Sequence, residues 1–387
     1  MARVLIVGGG VIGSAIAYFL LANADFRGEV VVIERDPSYT RASSALSAGS
    51  IRQQFSSPVN IAMSQFGIEF LRDLRKTLSV NGDSPEIALR ESGYLYLASA
   101  EGFASLQRNH AVQIDNGASV ALLAVEELQK RFPWLSCDGL AGGSLGLAGE
   151  GWFDGYGLLQ GFRRKAQSLG AVYRQAEVTS FLRDGSRLTA AKLADGGTVL
   201  FDYAVNAGGP WAASVARMAD IELPVRARRR CVFAFACKDE IADCPLVIDP
   251  CGLWFRPEGS MYICGYPPQV DADDLPLDVD YRLWDDVVWP RLAERVPGFE
   301  AIKLHSAWAG YYEFNVFDHN AILGCHDSCS NLYFANGFSG HGLQHSPAVG
   351  RGLAELLLYG RYTSLDLSDL GFARVTDNKP IVELNVI

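Results

Sequence analysis

Gly8, Gly10 and Gly13 fall in a GxGxxG spacing directly after the apolar run Arg3 to Val7 and directly before a helical pattern from Ile12 to Ala24. The three glycines do different things: the first permits a tight turn, the second lets backbone approach a pyrophosphate, and the third allows helix and strand to pack closely. The helix N-terminus behind them offers free N–H groups and the positive end of a dipole to that anion. Glu34 stands 21 residues after Gly13, at the end of a second apolar run from Glu29. A carboxylate there accepts ribose hydroxyls and repels a 2′-phosphate, which disfavours NADP. The constellation predicts dinucleotide binding but does not separate FAD from NAD.

Two distant segments bear on that choice. Arg41 to Arg52 is a loop of small and hydroxyl residues, with Ser43, Ser44, Ser47, Ala48 and Gly49 suited to a second phosphate and to the approach of a flat ring; alternatively it is simply a polar loop. Gly337-Phe338-Ser339-Gly340-His341-Gly342-Leu343-Gln344 supplies glycines that can aim N–H groups at the N1 and O2 edge of a flavin, where reduction leaves negative charge. Ser346-Pro347 then reads as the cap and first turn of a helix.

The elements that hold these residues follow from periodicity. A βαβ opening is expected to Glu34, then an amphipathic helix over 60–78 and a strand over 92–98. A helix over 158–169 ends at Gly170, and strands are expected over 172–181, 188–193 and 199–207. A β-rich stretch over 225–265, a helix over 281–295, a strand over 332–335 and a closing helix up to Leu358 complete the chain. The reading is α/β: a Rossmann-type nucleotide domain intertwined with a mixed β-sheet substrate domain. The cofactor domain takes residues 1–85, 151–215 and 325–387, and the substrate domain takes 86–150 and 216–324.

At 387 residues and 49% hydrophobic composition the chain can bury a large core, and a net charge of −10 argues against nucleic acid or an anionic membrane as partner. Cysteines 137, 231, 237, 244, 251, 264, 325 and 329 form no CxxC pairs, which reads as reduced thiols. Cys325 and Cys329 flank His326 and Asp327 without a second pair nearby, so no metal is expected. The chain enters a strand at once and has no apolar run of about 18 residues, so neither a signal peptide nor an integral membrane segment is expected, and the cytoplasm is the expected location.

Taken together, the GxGxxG with Glu34, the serine loop to Gly49, Val205 to Trp211, Trp254 to Gly259, Trp308-Ala309-Gly310 and Gly337 to Gly342 resemble the D-amino acid oxidase superfamily nearly end to end. Ile51-Arg52-Gln53-Gln54-Phe55 and Trp308-Ala309-Gly310-Tyr311-Tyr312 are similar to the branch with L-proline dehydrogenase and opine oxidase catalytic subunits and the mitochondrial flavoprotein of complex I assembly. The resemblance implies FAD in a glutathione-reductase-type domain, roofed by a mixed sheet. It also implies that Val11, Ile12, Arg35, Ile51, Val178, Ala207, Gly208, Gly209, Trp211, Gly310 and Leu343 surround the cofactor. Leu46, Gly310 and Tyr311 occupy the places of the family's covalent attachment residues, so FAD is expected to be noncovalent.

Glycine and sarcosine oxidases of that superfamily clamp a carboxylate with an arginine after Trp-Ala-Gly or a lysine after Gly-His-Gly. Tyr311, Tyr312 and Gln344 stand there instead. Arg256 is then either a bidentate carboxylate grip or a salt bridge. Arg52 is expected against the ring edge, one of Tyr311 and Tyr312 on the carboxylate, and His341 as a positional group rather than a base. The expected reaction is hydride transfer from an amine or amino acid, with a secondary amine favoured. The acceptor is oxygen, a quinone or a partner protein. A flavin-binding assembly protein and an NAD-dependent dehydrogenase are the alternatives.

Overall fold

The computed structural model describes residues 2–239, 241–268 and 271–384. Arg3–Val7 and Glu29–Glu34 are apolar on both faces and pair in parallel, Val7 opposite Ile33, as strands covered by helices on both sides must. They lie at the centre of a six-stranded sheet in the order Ile322–His326, Cys329–Asn336, Tyr203–Asn206, Arg3–Val7, Glu29–Glu34, Val172–Gln175. Only the first pair is antiparallel.

The Val11–Ala22 helix is buried through Leu20 because Gly342–Tyr359 and Gly155–Ser168 both pack on it. A Cβ on Gly350 would come within 2.9 Å of Ala15 Cβ, so the crossing with the C-terminal helix depends on that glycine. A second, eight-stranded sheet runs Ile302–Asn315, Val225–Cys237, Met261–Gly265, Trp254–Glu258, Leu246–Ile248, Tyr94–Ala98, Gly142–Gly146, Val120–Leu123. Its aromatic core gathers Phe235, Phe255 and Phe299.

Several expected elements are divided or shifted. The expected strand over 172–181 is two: Val172–Gln175 ends the nucleotide sheet, while Val178–Asp184 turns into a separate three-stranded antiparallel sheet. The expected strand over 199–207 divides likewise at Asp202, whose carboxylate accepts the Arg3 amide at 2.6 Å. Within the expected helix over 281–295, Trp284–Val288 is a π-turn just before Pro290, which has no N–H to continue the regular ladder. The Ile322–His326 strand has no counterpart in the sequence reading.

The closing helix corrects its expected start. It opens at Gly342 with His341 as cap, so Pro347 lies inside it, and the Ser346 hydroxyl donates to the Leu343 carbonyl at 2.8 Å, the carbonyl that proline leaves unpaired. Among the described residues, no helix is long and apolar enough to cross a membrane.

Candidate cofactor cleft and active site

Between the two large sheets runs a cleft of about 750 Å³. Its floor at one end is the glycine turn. Gly8 has φ +104°, and a Cβ there would lie 2.2 Å from the Ala207 carbonyl; one on Gly13 would lie 2.0 Å from the Gly8 carbonyl. Both glycines serve packing. Gly10 differs: its φ is −63° and a Cβ would meet only Ser44 Oγ, at 3.4 Å. Its missing side chain therefore leaves open a cradle in front of the Val11–Ala22 helix terminus, where the Val11 amide donates to Ser44 Oγ at 3.1 Å. A diphosphate fits that cradle, with the serine hydroxyl marking an acceptor position for the helix amides.

The nucleoside end is lined by Val178, Ala207, Gly208 and Gly209, with Trp211 carrying the Arg35 guanidinium 3.8 Å above its ring. Glu34 lines it too, one carboxylate oxygen accepting from Gly9 N and the other from Asp36 N, each at 2.8 Å. Each oxygen keeps a lone pair for a ribose hydroxyl. Ser43, Ser47, Ala48, Gly310, Phe338, Gly340, Gly342 and Leu343 line the other end with Ile12 and Val11 nearer the glycine turn. The serine loop is sewn to the roof: Ser43 Oγ donates to the Tyr311 carbonyl at 2.6 Å and Trp308 Nε1 to Leu46 O at 2.9 Å. Gly310 is required for that contact, since a Cβ would stand 3.0 Å from Leu46 Cβ. Gly49, Ile51, Gly337 and Ser339 support the walls without lining the cleft; Ser339 Oγ accepts the Asn315 amide at 3.0 Å. The residues present thus fit FAD, and they would hold it along the whole cleft.

The candidate catalytic residues do not form one group. Arg52, His341 and Gln344 gather behind the cleft wall, where the Arg52 amide donates to Gln344 Oε1 at 2.8 Å and its guanidinium stands 3.0 Å from His341 Nε2 and over the Phe55 ring. Burial first, and then Arg52, holds the His341 imidazole well below its ordinary value. Its Nε2 accepts from the Arg52 guanidinium. Arg52 thus stands behind the cleft wall and is not among the residues that line the cleft.

Arg256 takes the salt-bridge alternative, pairing with Glu258. Its guanidinium bonds the Pro257 carbonyl, Glu258 and the Ala48 carbonyl, and it lines a second cavity on the far side of the serine loop. Trp254, two residues earlier on the same strand face, does line the cleft, so Ser47–Ala48 passes between the two side chains.

Tyr311 and Tyr312, adjacent on a strand, separate. Tyr311 turns its ring edge-on to Trp211 and donates its hydroxyl to Leu275 O at 2.6 Å. Tyr312 packs against Gly340, where a Cβ would come within 2.7 Å of its ring, and burial raises its phenol so that it stays a donor. Beside it is a residue that sequence reasoning missed. Arg230 lines the cleft with its guanidinium 5.1 Å from the Tyr312 ring, and grips Asp271 through two parallel contacts of 2.7 and 3.1 Å. Leu246, Ile248, Trp254 and Tyr94 surround this end with apolar surface.

Glu313 completes the wall. Its carboxylate accepts from Gly337 N at 3.3 Å, and burial pushes it up to about 8, so it is uncharged at neutral pH. Raising the pH past that value places an anion in a low-dielectric wall beside the diphosphate cofactor. We expect FAD retained on dialysis to fall between pH 7 and 9, and Glu313→Gln to remove that decline; a parallel decline in both proteins would mean another group is responsible.

A model of the FAD dependent oxidoreductase family, DAO, matches residues 3–356. The chain is 43% identical to FAD-dependent oxidoreductase domain-containing protein 1 of Xenopus laevis, over 100% of this chain and 85% of that one. It is 28% identical to glycine oxidase of Geobacillus kaustophilus over 96% of each. The fold superimposes on L-proline dehydrogenase from P. horikoshii with a TM-score of 0.87 at 24% identity, covering 98% of this chain and 99% of that one.

Proposed function

Because this chain belongs to the DAO family of FAD-dependent oxidoreductases, we propose that it oxidises a carboxylate-bearing secondary amine, such as proline, an N-methyl amino acid or an opine-type amino acid. Noncovalently bound FAD would take hydride from the α-carbon at N5, giving an imine.

The observation that carries this reading is the pairing of Arg230 with Tyr312 at the apolar end of the cleft. Arg230 already holds a carboxylate, that of Asp271, in the forked geometry an amino acid's carboxylate would adopt. Tyr312 adds a hydroxyl that burial keeps protonated. The amine must be neutral to release hydride, and the surroundings promote this: Leu246, Ile248 and Trp254 desolvate it, while Glu313, held up to about 8 by burial, offers no counter-charge at neutral pH. The names of the L-proline dehydrogenase and glycine oxidase relatives support an amino acid.

The test is flavin bleaching without oxygen. L-Proline, sarcosine or an N-carboxyalkyl amino acid is expected to bleach the flavin faster than D-alanine, with a rate that rises with pH through an ionisation below that of the free amine. Faster reduction by D-alanine would overturn the secondary-amine assignment. A flavin that no amine bleaches would favour a binding role without turnover.

A further inference from the structure

Residues alternate along the Val225–Cys237 strand, so Arg226, Arg228 and Arg230 share one face and form a ladder. Side-chain exposure falls from 41% at Arg226 to 18% at Arg228 and 16% at Arg230, and of the three only Arg230 lines the cofactor cleft. Two carboxylates stand between the rungs. Asp271 grips Arg230 in the forked pair of 2.7 and 3.1 Å and lies 3.6 Å from Arg228 Nη1. Asp273 lies 2.9 Å from Arg228 Nε and 3.6 Å from Arg226 Nε. Each aspartate thus has an inner arginine close by and an outer one a step away.

Arg228 is the loosely filled rung. Its Nε is near Asp273 but is not aligned for a hydrogen bond, and its Nη1 meets Asp271 only at 3.6 Å. A guanidinium carries five donors, so Arg228 has the capacity for a fork with Asp271. The backbone next to this ladder is fixed: the Asp274 amide donates to the Ala227 carbonyl at 2.9 Å, and the Tyr311 hydroxyl to the Leu275 carbonyl at 2.6 Å. Asp271 itself keeps 33% of its side chain exposed, so rotation of that side chain changes its partner without moving the chain. Three arginines against two aspartates leave one positive charge in the ladder, the amount that one substrate carboxylate neutralises.

We propose that Arg228 is a positioning residue for carboxylate exchange at Arg230: as a substrate carboxylate enters the fork, Asp271 turns to Arg228. No anion is then left unpaired in the cleft wall. Without the receiving rung, displacing Asp271 strands a half-buried carboxylate, and that cost appears as weaker substrate binding. This step rests on Arg230 holding the substrate carboxylate.

The experiment titrates the FAD-loaded protein with L-tetrahydro-2-furoate, the proline ring with an ether oxygen in place of N–H, and reads its Kd from the flavin absorbance. Arg228→Met is expected to raise that Kd at least about fivefold with FAD content unchanged, and Arg228→Lys, which keeps a cation for Asp271, by less than about threefold. In the Asp271→Asn background no carboxylate has to be received, so Arg228→Met should change the Kd by less than about twofold. Turnover should show the same split: KM for L-proline rises in Arg228→Met while kcat holds, and pyrrolidine is indifferent. Loss of a long-range field would weaken binding equally in both backgrounds, and that result would overturn the exchange while leaving Arg230 as the grip. A wild-type flavin spectrum that the probe leaves unchanged, or an Arg230→Met protein that binds it as tightly, would overturn the carboxylate reading and the exchange with it. If Arg228→Met fails to fold, Arg228→Gln decides by the same cycle.

Discussion

Gly10→Val is expected to fold with an unchanged thermal midpoint and to purify without flavin. The glycine turn invites the view that none of its positions tolerates a side chain, but the structure divides them. Gly8 and Gly13 face carbonyls of the protein itself, at 2.2 and 2.0 Å from a hypothetical Cβ, so Gly13→Ala should lower stability by about 1–3 kcal/mol through overpacking whether or not FAD is present. Gly10 has an ordinary φ of −63° and faces the cradle, so the branched side chain of valine would fill only the volume a diphosphate needs. The two variants should therefore separate: one loses colour at constant stability, the other loses stability. Measuring midpoints of the FAD-free proteins alongside bound flavin checks this. A Gly10→Val protein that keeps a full complement of FAD would place the diphosphate elsewhere.

What was legible in the sequence is what local backbone chemistry encodes. A tight turn before a helix requires glycines at fixed offsets, and an acidic residue after the second strand lies near the turn, so the cradle, Glu34 and the loop at Gly337 to Gly342 could be named without knowing any long-range contact. The proposed substrate end has no such code. Arg228-Arg229-Arg230 reads as one basic run, and strand alternation says only that the middle residue differs from its neighbours. In the structure Arg229 reaches the carbonyls of Pro276 and Asp278, while Arg228 and Arg230 turn to Asp273 and Asp271. Which face meets the cleft is decided by how the two sheets dock. Arg256 shows the same limit: the serine loop, more than 200 residues away in sequence, meets its guanidinium at the Ala48 carbonyl, and Arg256 lines the other cavity.

Arg230→Met should have the largest effect on turnover of an amino acid while leaving FAD binding intact. The Arg230 side chain is 16% exposed, and its guanidinium sits where two charge-assisted hydrogen bonds can form at once, each worth about 1.5–3 kcal/mol. Their loss predicts a fall in kcat/KM for L-proline of at least about 100-fold. Pyrrolidine, the same ring without a carboxylate, never used those bonds, so its kcat/KM should change by less than about threefold. Asp271 sharpens the test because it already occupies the fork that a substrate carboxylate would take under this proposal. Opening the fork costs binding energy, and Asp271→Asn, which weakens that internal pair, should lower the KM for L-proline several-fold with pyrrolidine again unaffected. Equal losses for proline and pyrrolidine in Arg230→Met would show that the arginine shapes the sheet and does not hold the carboxylate.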